Sequence, residues 1–564
     1  MLDEFLREPR VAYFSMEIAL RSEMPTYAGG LGVLAGDTLR SAADLSVPLV
    51  AVTLVSRAGY FRQQIDPEGR QVESPAPWDP SRWAERLDAK VVVRIEARTV
   101  WLGAWLYVVD SHLGGHAPVI LLDTDLAENT PADREITHYL YGDEDSYRLK
   151  QEMVLGLGGV RMLRALGFEI NAYHMNEGHA ALLGLELLRR YTYPSSELQA
   201  GESPYDLPRV RQLCRFTTHT PVEAGHDRFS YELVKRLFAD DEHTNPGSDS
   251  VDLAELRQLA GADSLNMTRL ALSFSDFVNG VAKRHAEVSS RMYPGYHVRA
   301  ITNGVHPYTW TAPSFRKLYD RYVAGWCHEP ELLSRADGIA DREILEAHAR
   351  AKEALTQRIR ELTGVALNPG AAILGLARRM TAYKRPELLF EDLERLRAVA
   401  REHPFHIVLA GKAHPRDEEG KQLIARLHQH ARELTGTITV VYLPDYDMSL
   451  AQLLVSGSDI WLNTPLPPLE ASGTSGMKAA FNGVPSLSVL DGWWIEGCIE
   501  NVTGWSVDAA ATLYDKLEHT VLPLFHGREA GGWVRLMKGA ISKNAAYFNS
   551  HRMMRRYATE AYLR

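Results

Sequence analysis

The chain reads as an α/β protein: two lobes built on parallel sheets and facing a common cleft. Three observations predict this. Short apolar runs alternate with longer amphipathic segments through most of the sequence, which is the rhythm of parallel strands covered by helices. At 564 residues, the chain exceeds the size at which a single hydrophobic core keeps growing. A polar stretch at about residues 305–315, punctuated by Pro307 and Pro313, divides one set of βα units from the next. In open α/β sheets, ligands bind outside the carboxyl ends of the strands, so the cleft is where function is expected.

Taken in order, the strand candidates of the first half are VAYFSM (11–16), PLVAVTLV (48–55), KVVVRIEA (90–97), VWLGAWLYVVD (100–110), PVILLDT (118–124) and CRFTTHT (214–220). Those of the second half are AILGLARR (372–379), FHIVLAG (405–411), TVVYLP (439–444), DIWLN (459–463) and PSLSVLD (485–491). A helical region over 315–365 leads into this second set, and PELLFEDLERLRAVAREH (386–403) has the pattern of one helix. The expected division is a lobe at 1–310, a lobe at 311–530 and terminal helices at 531–564 that pack back on the first lobe. No internal repeat or low-complexity tract interrupts this order.

Composition narrows the function. Hydrophobic residues at 45% and charged residues at 24% are ordinary for a globular protein. A formal net charge of −10 argues against a dedicated binder of nucleic acid or anionic membrane. Cys214, Cys327 and Cys498 are far apart and form no C-x-x-C pair, so neither a disulfide framework nor a structural zinc site is expected. The charged start and the lack of a long apolar run point to a cytoplasmic protein without a membrane segment.

Three segments carry chemistry. The first is Glu470-Ala-Ser-Gly-Thr-Ser-Gly-Met-Lys478, lying between the strands DIWLN and PSLSVLD. Its glycines let the backbone approach a ligand closely, and Asn482-Gly483 reads as the cap of a short helix. A lysine in the first turn opposes the helix dipole, which suggests an ion pair or a covalent imine beside an anion site. A tight loop with a surface lysine shares the same local pattern. The second segment, Arg378-Arg-Met-Thr-Ala-Tyr-Lys-Arg385, sets four cations at a strand's carboxyl end. They repel one another unless an anion lies among them, although a solvated basic loop reads the same way. The third, Tyr27-Ala-Gly-Gly-Leu-Gly32, is a glycine loop opening a helix, without the spacing of a dinucleotide fingerprint or a Walker loop.

Together these segments resemble the glycogen and starch phosphorylase family. EASGTSGMK resembles its cofactor-lysine segment, RRMTAYKR its phosphate-binding segment and AGGLG its glycine loop. Similar matches follow in the family's order: FSMEIALR (14–21), GDEDSYRLKQE (142–152), MNEGHAAL (175–182), TTHTPVEA (217–224), TNGVHP (302–307) and VLDG (489–492). The resemblance implies two Rossmann-like lobes of the GT-B type around a catalytic cleft, and reversible phosphorolysis of the non-reducing terminal glucose of an α-1,4-glucan. It also implies pyridoxal 5′-phosphate held by Lys478 as a Schiff base, with the cofactor's phosphate exchanging a proton with the substrate phosphate.

Carried over by resemblance, the catalytic set is Arg379, Lys384, His219 and Glu470. Arg379 contacts the substrate phosphate, and Lys384 binds the cofactor phosphate. Lys478, Arg378, Lys384, Thr474, Ser475 and Gly30 form the cofactor set. Arg378 stands where better-known members carry lysine, and Ser475 where they carry glycine. For the substrate, Glu470, Ser472 and Gly473 address the sugar's 3- and 4-hydroxyls, Asn303 and His219 the 6-hydroxyl, and Tyr383 the 2-hydroxyl. Gly30 and Leu31 bring main-chain amides near the phosphate and anomeric centre, and His179 lies at the cleft. Protonation of the glycosidic oxygen by phosphate and capture of an oxocarbenium-like species give α-glucose 1-phosphate with retention, without a hydrolase-type carboxylate pair.

Two rivals share parts of this pattern. A nucleotide-sugar glucosyltransferase resembling glycogen synthase uses the same cleft but has no need of an imine-forming lysine. A non-catalytic glucan-binding protein is expected to lose some of Lys478, Lys384, Arg379 or Glu470. No metal is expected, since His174 and His179 are poorly spaced for a helical ligand pair. Trp493-Trp494 suits either an acceptor subsite or a core. The chain is markedly shorter than the glycogen-degrading members, so short maltodextrins are expected over glycogen and no phosphorylation or nucleotide control is expected. A homodimer is the family habit.

Overall fold

A computed structural model describes the chain apart from residues 1, 143, 200–201, 223–224, 240–251, 528–530 and 564. Asp143, Glu223 and Ala224 of the family-like segments therefore lie outside the described residues.

Two large sheets organise the molecule. The first contains β1 (Arg10–Phe14), β2 (Leu49–Leu54), β3 (Glu85–Ile95), β4 (Arg98–Asp110), β5 (His116–Asp123), β6 (Ile170–Asn176), β7 (Cys214–Thr217), β8 (Phe277–Gly280) and β9 (Val298–Ala300). Their spatial order is β9-β8-β7-β6-β1-β2-β5-β4-β3. β1 and β2 are buried at every position, as parallel strands covered on both faces must be. Only β4 pairs antiparallel, with β3 and β5, and β3 is half exposed at the sheet's edge.

The second sheet contains β10 (Ala372–Ala377), β11 (Phe405–Ala410), β12 (Thr439–Leu443), β13 (Ile460–Asn463), β14 (Ser486–Val489) and β15 (Gly504–Val507), in the order β12-β11-β10-β13-β14-β15. All of its pairs are parallel. The chain winds outward one way from β10 and then the other way from β13, a doubly wound order whose reversal opens a crevice between those two strands. The first sheet reverses in the same manner between β1 and β6.

Every strand expected from the sequence forms, with ends shifted by a few residues. β6, β8, β9 and β15 were not among those expectations, and the last three span only three or four residues, too few to display a period. The expected helix at 386–403 is instead a short 3-10 turn, Pro386–Phe390, followed by a helix at Leu393–Glu402. Asp392 causes the break, because its carboxylate accepts the Arg395 amide at 2.9 Å and caps the second piece. The 315–365 region forms Pro313–Tyr322, the 3-10 segment Pro330–Gly338 and α-helix Asp341–Thr363. Pro307 and Pro313 each open a helix, where a missing amide costs nothing.

Two helices link the ends of the chain. Helix α1 (Gly30–Asp44) shares an apolar cluster with helix α2 (Ser550–Tyr557), in which Leu34 and Leu39 meet Met553, Met554 and Tyr557. At the end of α1, Asp44 accepts hydrogen bonds from His306 (2.7 Å) and His551 (2.9 Å), all three buried. Burial opposes the Asp44 charge, yet the bonds from His306 and His551 hold its carboxyl well below the usual range. These three groups are close enough to ligate a metal. However, the His306 Nδ1 accepts the Thr309 amide, which puts the proton on Nε2 and leaves that atom no lone pair for an ion. Among the described residues, no helix is long and apolar enough to cross a membrane.

Candidate active site

The cationic segment leaves the carboxyl end of β10, one side of the crevice. Arg385 sits in the left-handed region (φ 44°) and spends its guanidinium on the carbonyls of Thr464 (3.1 Å) and Pro465 (2.8 Å). It therefore shapes the turn. Arg378, Arg379 and Lys384 remain. Arg378 donates one bond to the Lys384 carbonyl, and among the described residues its buried Nε has no partner. Arg379 is exposed, and among the described residues its guanidinium has no hydrogen bond or salt bridge. Lys384 forms an ion pair with Glu470 and lies 4.9 Å from the centre of the Tyr383 ring.

The glycine-rich segment leaves β13, the other side of the crevice. The Glu470 amide donates to Asp491 (2.8 Å), and Gly473 takes φ 79°, a left-handed turn that favours glycine. A short helix, Ser475–Ala480, follows Thr474. Lys478 is its fourth residue, and the expected cap is present: Asn482 donates to the Lys478 carbonyl at 3.2 Å and Gly483 has φ 67°. The Lys478 amine lies 4.0 Å from the centre of the Trp310 ring, and the Trp310 indole N–H donates to Asp37 (2.8 Å). Burial pushes the amine down to about 8, with Asp37 acting the other way. The Ser475 hydroxyl accepts the Trp461 indole N–H at 3.0 Å, which leaves its own proton to donate.

The first sheet supplies the opposite wall. After β1, buried Glu17 accepts the amides of Ala28 (2.6 Å) and Gly29 (3.1 Å). Two of the glycine loop's amides are thus committed to the protein, whereas those of Gly30 and Leu31, at the start of α1, have no intrahelical partner. A side chain at Gly29 would come within 3.6 Å of Arg379 Nη2, whereas one at Gly30 would meet nothing within 4 Å. The loop therefore abuts the cationic cluster with open space beside it. Glu17 was missed from the sequence: FSMEIALR marked the segment, but nothing in it assigned the carboxylate to amides eleven residues away.

β6 and β7 complete this wall. Glu177, at φ 72°, is a strained non-glycine position of the kind that clusters at functional sites. Its carboxylate accepts the His219 amide (2.8 Å) and the Thr220 hydroxyl (2.9 Å). His219 Nε2 meets Asn176 Oδ1 at 2.6 Å, and enclosure drives its pKa down to about 3, so the ring is neutral. His179 meets Arg148 (3.1 Å) and Asp227 (3.3 Å). Tyr141, beneath the Arg148 guanidinium, donates to Glu17 at 2.8 Å. Beside this chain opens a cavity of about 630 Å³, lined by Tyr141, Arg148 and Asp227 together with His414 and Arg416 of the second half. Glu177, Tyr141 and Arg148 were not singled out from the sequence, since each acts through a partner distant in the chain.

The walls meet at Asn303, whose amide donates to Ser472 Oγ at 3.1 Å. Among the described residues, buried Asn303 Oδ1 has no partner. His174 is instead a packing residue, held by Tyr562 and Thr217. Trp493 and Trp494 are both buried, with Trp493 edge-on to Phe548, which decides between their two readings in favour of the core.

The donor set fits pyridoxal phosphate. A buried amine whose pKa is lowered suits capture of an aldehyde. Idle guanidinium donors of Arg378 and Arg379 and two open helix-start amides suit phosphate.

Comparison with known proteins agrees. The family model described as "Phosphorylase: Carbohydrate phosphorylase" matches residues 166–504. The maltodextrin phosphorylase of Thermococcus litoralis is 37% identical over 98% of this chain and 70% of its own length. A glycogen phosphorylase of Aquifex aeolicus is 35% identical over 98% of this chain and 86% of its own. An uncharacterized protein of Methanocaldococcus jannaschii is 31% identical over 98% and 99% respectively. This chain belongs to the carbohydrate phosphorylase family.

Proposed function

We propose that the protein is a pyridoxal-phosphate-dependent α-1,4-glucan phosphorylase that transfers the terminal glucose of short maltodextrins to inorganic phosphate, giving α-glucose 1-phosphate with retention. The observation that carries this reading is the placement of Lys478 and the Arg378–Arg379–Lys384 cluster on the segments that leave the two strands flanking the reversal of the second sheet. A cleft between lobes at 1–310 and 311–530, with 531–564 returning to the first, accounts for the meeting of both walls there.

When bound, pyridoxal phosphate supplies a phosphate that exchanges a proton with the substrate phosphate. Lys478 holds the group, with the Thr474 and Ser475 hydroxyls and the Gly30 amide as donors. Arg379 and Arg378 place concentrated positive charge where two anions must lie side by side. Arriving phosphate competes with Glu470 for Lys384, and that exchange frees the Glu470 carboxylate for sugar hydroxyls. Neutral His219, with Asn303, Tyr383, Ser472 and Gly473, orients the glucosyl unit by hydrogen bonds and leaves proton transfer to phosphate.

Borohydride reduction followed by peptide mass analysis should find the pyridoxyl group on Lys478. Arg379→Ala should keep that group and lower kcat/KM for phosphate by on the order of 10²–10³. Absence of the group after supplementation with pyridoxal phosphate, together with glucosyl transfer from a nucleotide sugar, would sink the reading.

A further inference from the structure

The sugar-facing wall is assembled from two segments far apart in the chain. Asn303 follows β9, and Glu470–Gly473 follows β13. Among the described residues, the hydrogen bond that links them directly is the neutral one from Asn303 to Ser472 at 3.1 Å, which is a weak strut by itself. The segment Asp491–Gly497 spans them. At one end, Asp491 accepts the Glu470 amide (2.8 Å) and the Trp493 amide donates to the Ser472 carbonyl (2.8 Å). The fit there is close: a side chain at Gly492 (φ 52°) would come within 2.5 Å of the Ser472 carbonyl oxygen. At the other end, the Glu496 carboxylate accepts the Lys283 amide (2.9 Å) and the Thr302 hydroxyl (2.9 Å). Thr302 immediately precedes Asn303. The carbonyls of both are also taken by the Arg552 guanidinium, at 2.6 and 2.9 Å.

We propose that Glu496 is a positioning residue that sets the gap between Asn303 and Ser472–Gly473, and so the affinity for the glucosyl unit, without touching the sugar. This rests on the reading of those residues as the sugar site. The Glu496 side chain is 7% exposed, so its hydrogen bonds are charge-assisted and poorly screened. Among the described residues Asn303 Oδ1 has no protein partner, so its position matters to whatever ligand it meets. Arg378 is held by the Lys384 carbonyl and the glycine loop by Glu17, neither of which touches Glu496. Loss of the brace should therefore move sugar terms and spare phosphate terms.

The test is steady-state phosphorolysis by the full-length holoenzyme, varying maltodextrin and phosphate separately, in Glu496→Ala, Glu496→Gln, Thr302→Val and Asn303→Ala. Glu496→Ala should raise the maltodextrin KM on the order of tenfold and leave the phosphate KM within about twofold. Glu496→Gln, which keeps an acceptor for the Lys283 amide, should recover most of the loss. Thr302→Val added to Glu496→Ala should cost less than its effect alone, because both remove the same bond. If Asn303→Ala raises the maltodextrin KM and folded Glu496→Ala does not, the brace is overturned and the sugar site stands. If Asn303→Ala leaves that KM unchanged, the sugar site and the brace both fall. A parallel rise in both KM values also overturns the brace, since general loosening would do the same. Should Glu496→Ala fail to fold, Thr302→Val alone must show the split between the two KM values; equal change or none overturns the proposal.

Discussion

Lys478 and His219 have both lost affinity for a proton, through the same cause and to different ends. Burial lowers the Lys478 amine to about 8, so its reactive neutral form appears well below the pH at which an ordinary lysine would supply it. Capture of pyridoxal phosphate by cofactor-free protein, trapped with borohydride, should rise with pH and level off above about pH 8. A midpoint near pH 10 would contradict the burial argument. The unfolded chain binds this proton more tightly, so Lys478 costs stability below about pH 8, and that cost fades as pH rises towards the ordinary lysine value. His219, driven to about 3, stays neutral through the working range. His219→Ala should therefore weaken sugar binding by about threefold to tenfold, the worth of a neutral hydrogen bond, and leave the shape of the pH–rate profile between pH 5 and 8 unchanged.

The glycine loop and α1 show how an element is tuned by what lies under it. A side chain at Gly32 would meet Glu17 Oε2 at 2.6 Å and Tyr27 Cβ at 2.7 Å, whereas Gly30 faces open space. Gly32→Ala should therefore displace Glu17 from the loop amides and cost about 1–3 kcal/mol, read by denaturant unfolding. Gly30→Ala should leave stability unchanged and lower affinity for phosphate. Equal stability losses would mean that the loop is held by something other than Glu17. The AGGLG pattern was legible in the sequence as a ligand loop, but nothing local distinguished the glycine that packs from the glycine that opens a site. The same limit explains 386–403, where apolar spacing ran through Asp392 and gave no sign that its side chain caps a second helix.

At the scale of the molecule, Asp44 joins α1 to the crossing at His306 and to the terminal segment at His551. Removing one member leaves buried polar groups without partners. Asp44→Ala should destabilise the chain by about 3–5 kcal/mol, seen as a lowered thermal midpoint. Because the folded-state pKa of Asp44 is depressed, its contribution is present above the ordinary aspartate value and is lost as pH falls below it towards the folded value. Stability measured at pH 7 and pH 5 should therefore show the same Asp44→Ala penalty. A penalty that vanishes by pH 5 would mean that the histidines, not the carboxylate, govern the clasp.

The sequence by itself determined the α/β class, the strands long enough to show an apolar run, and the three segments that bear charge or glycine at strand ends. These are local properties, set by side-chain period, by the left-handed freedom of Gly473 and Gly483, and by cations crowded within eight residues. Only the tertiary structure decided which of those cations the protein engages: Arg385 turns to the Thr464 and Pro465 carbonyls, while Arg379 is left exposed. It also decided that Glu17 and Glu177 fix the opposite wall and that Lys384 begins paired with Glu470. Such partners are eleven to eighty-six residues apart, and contact at that separation depends on how the two sheets wind and meet, which no window of sequence contains.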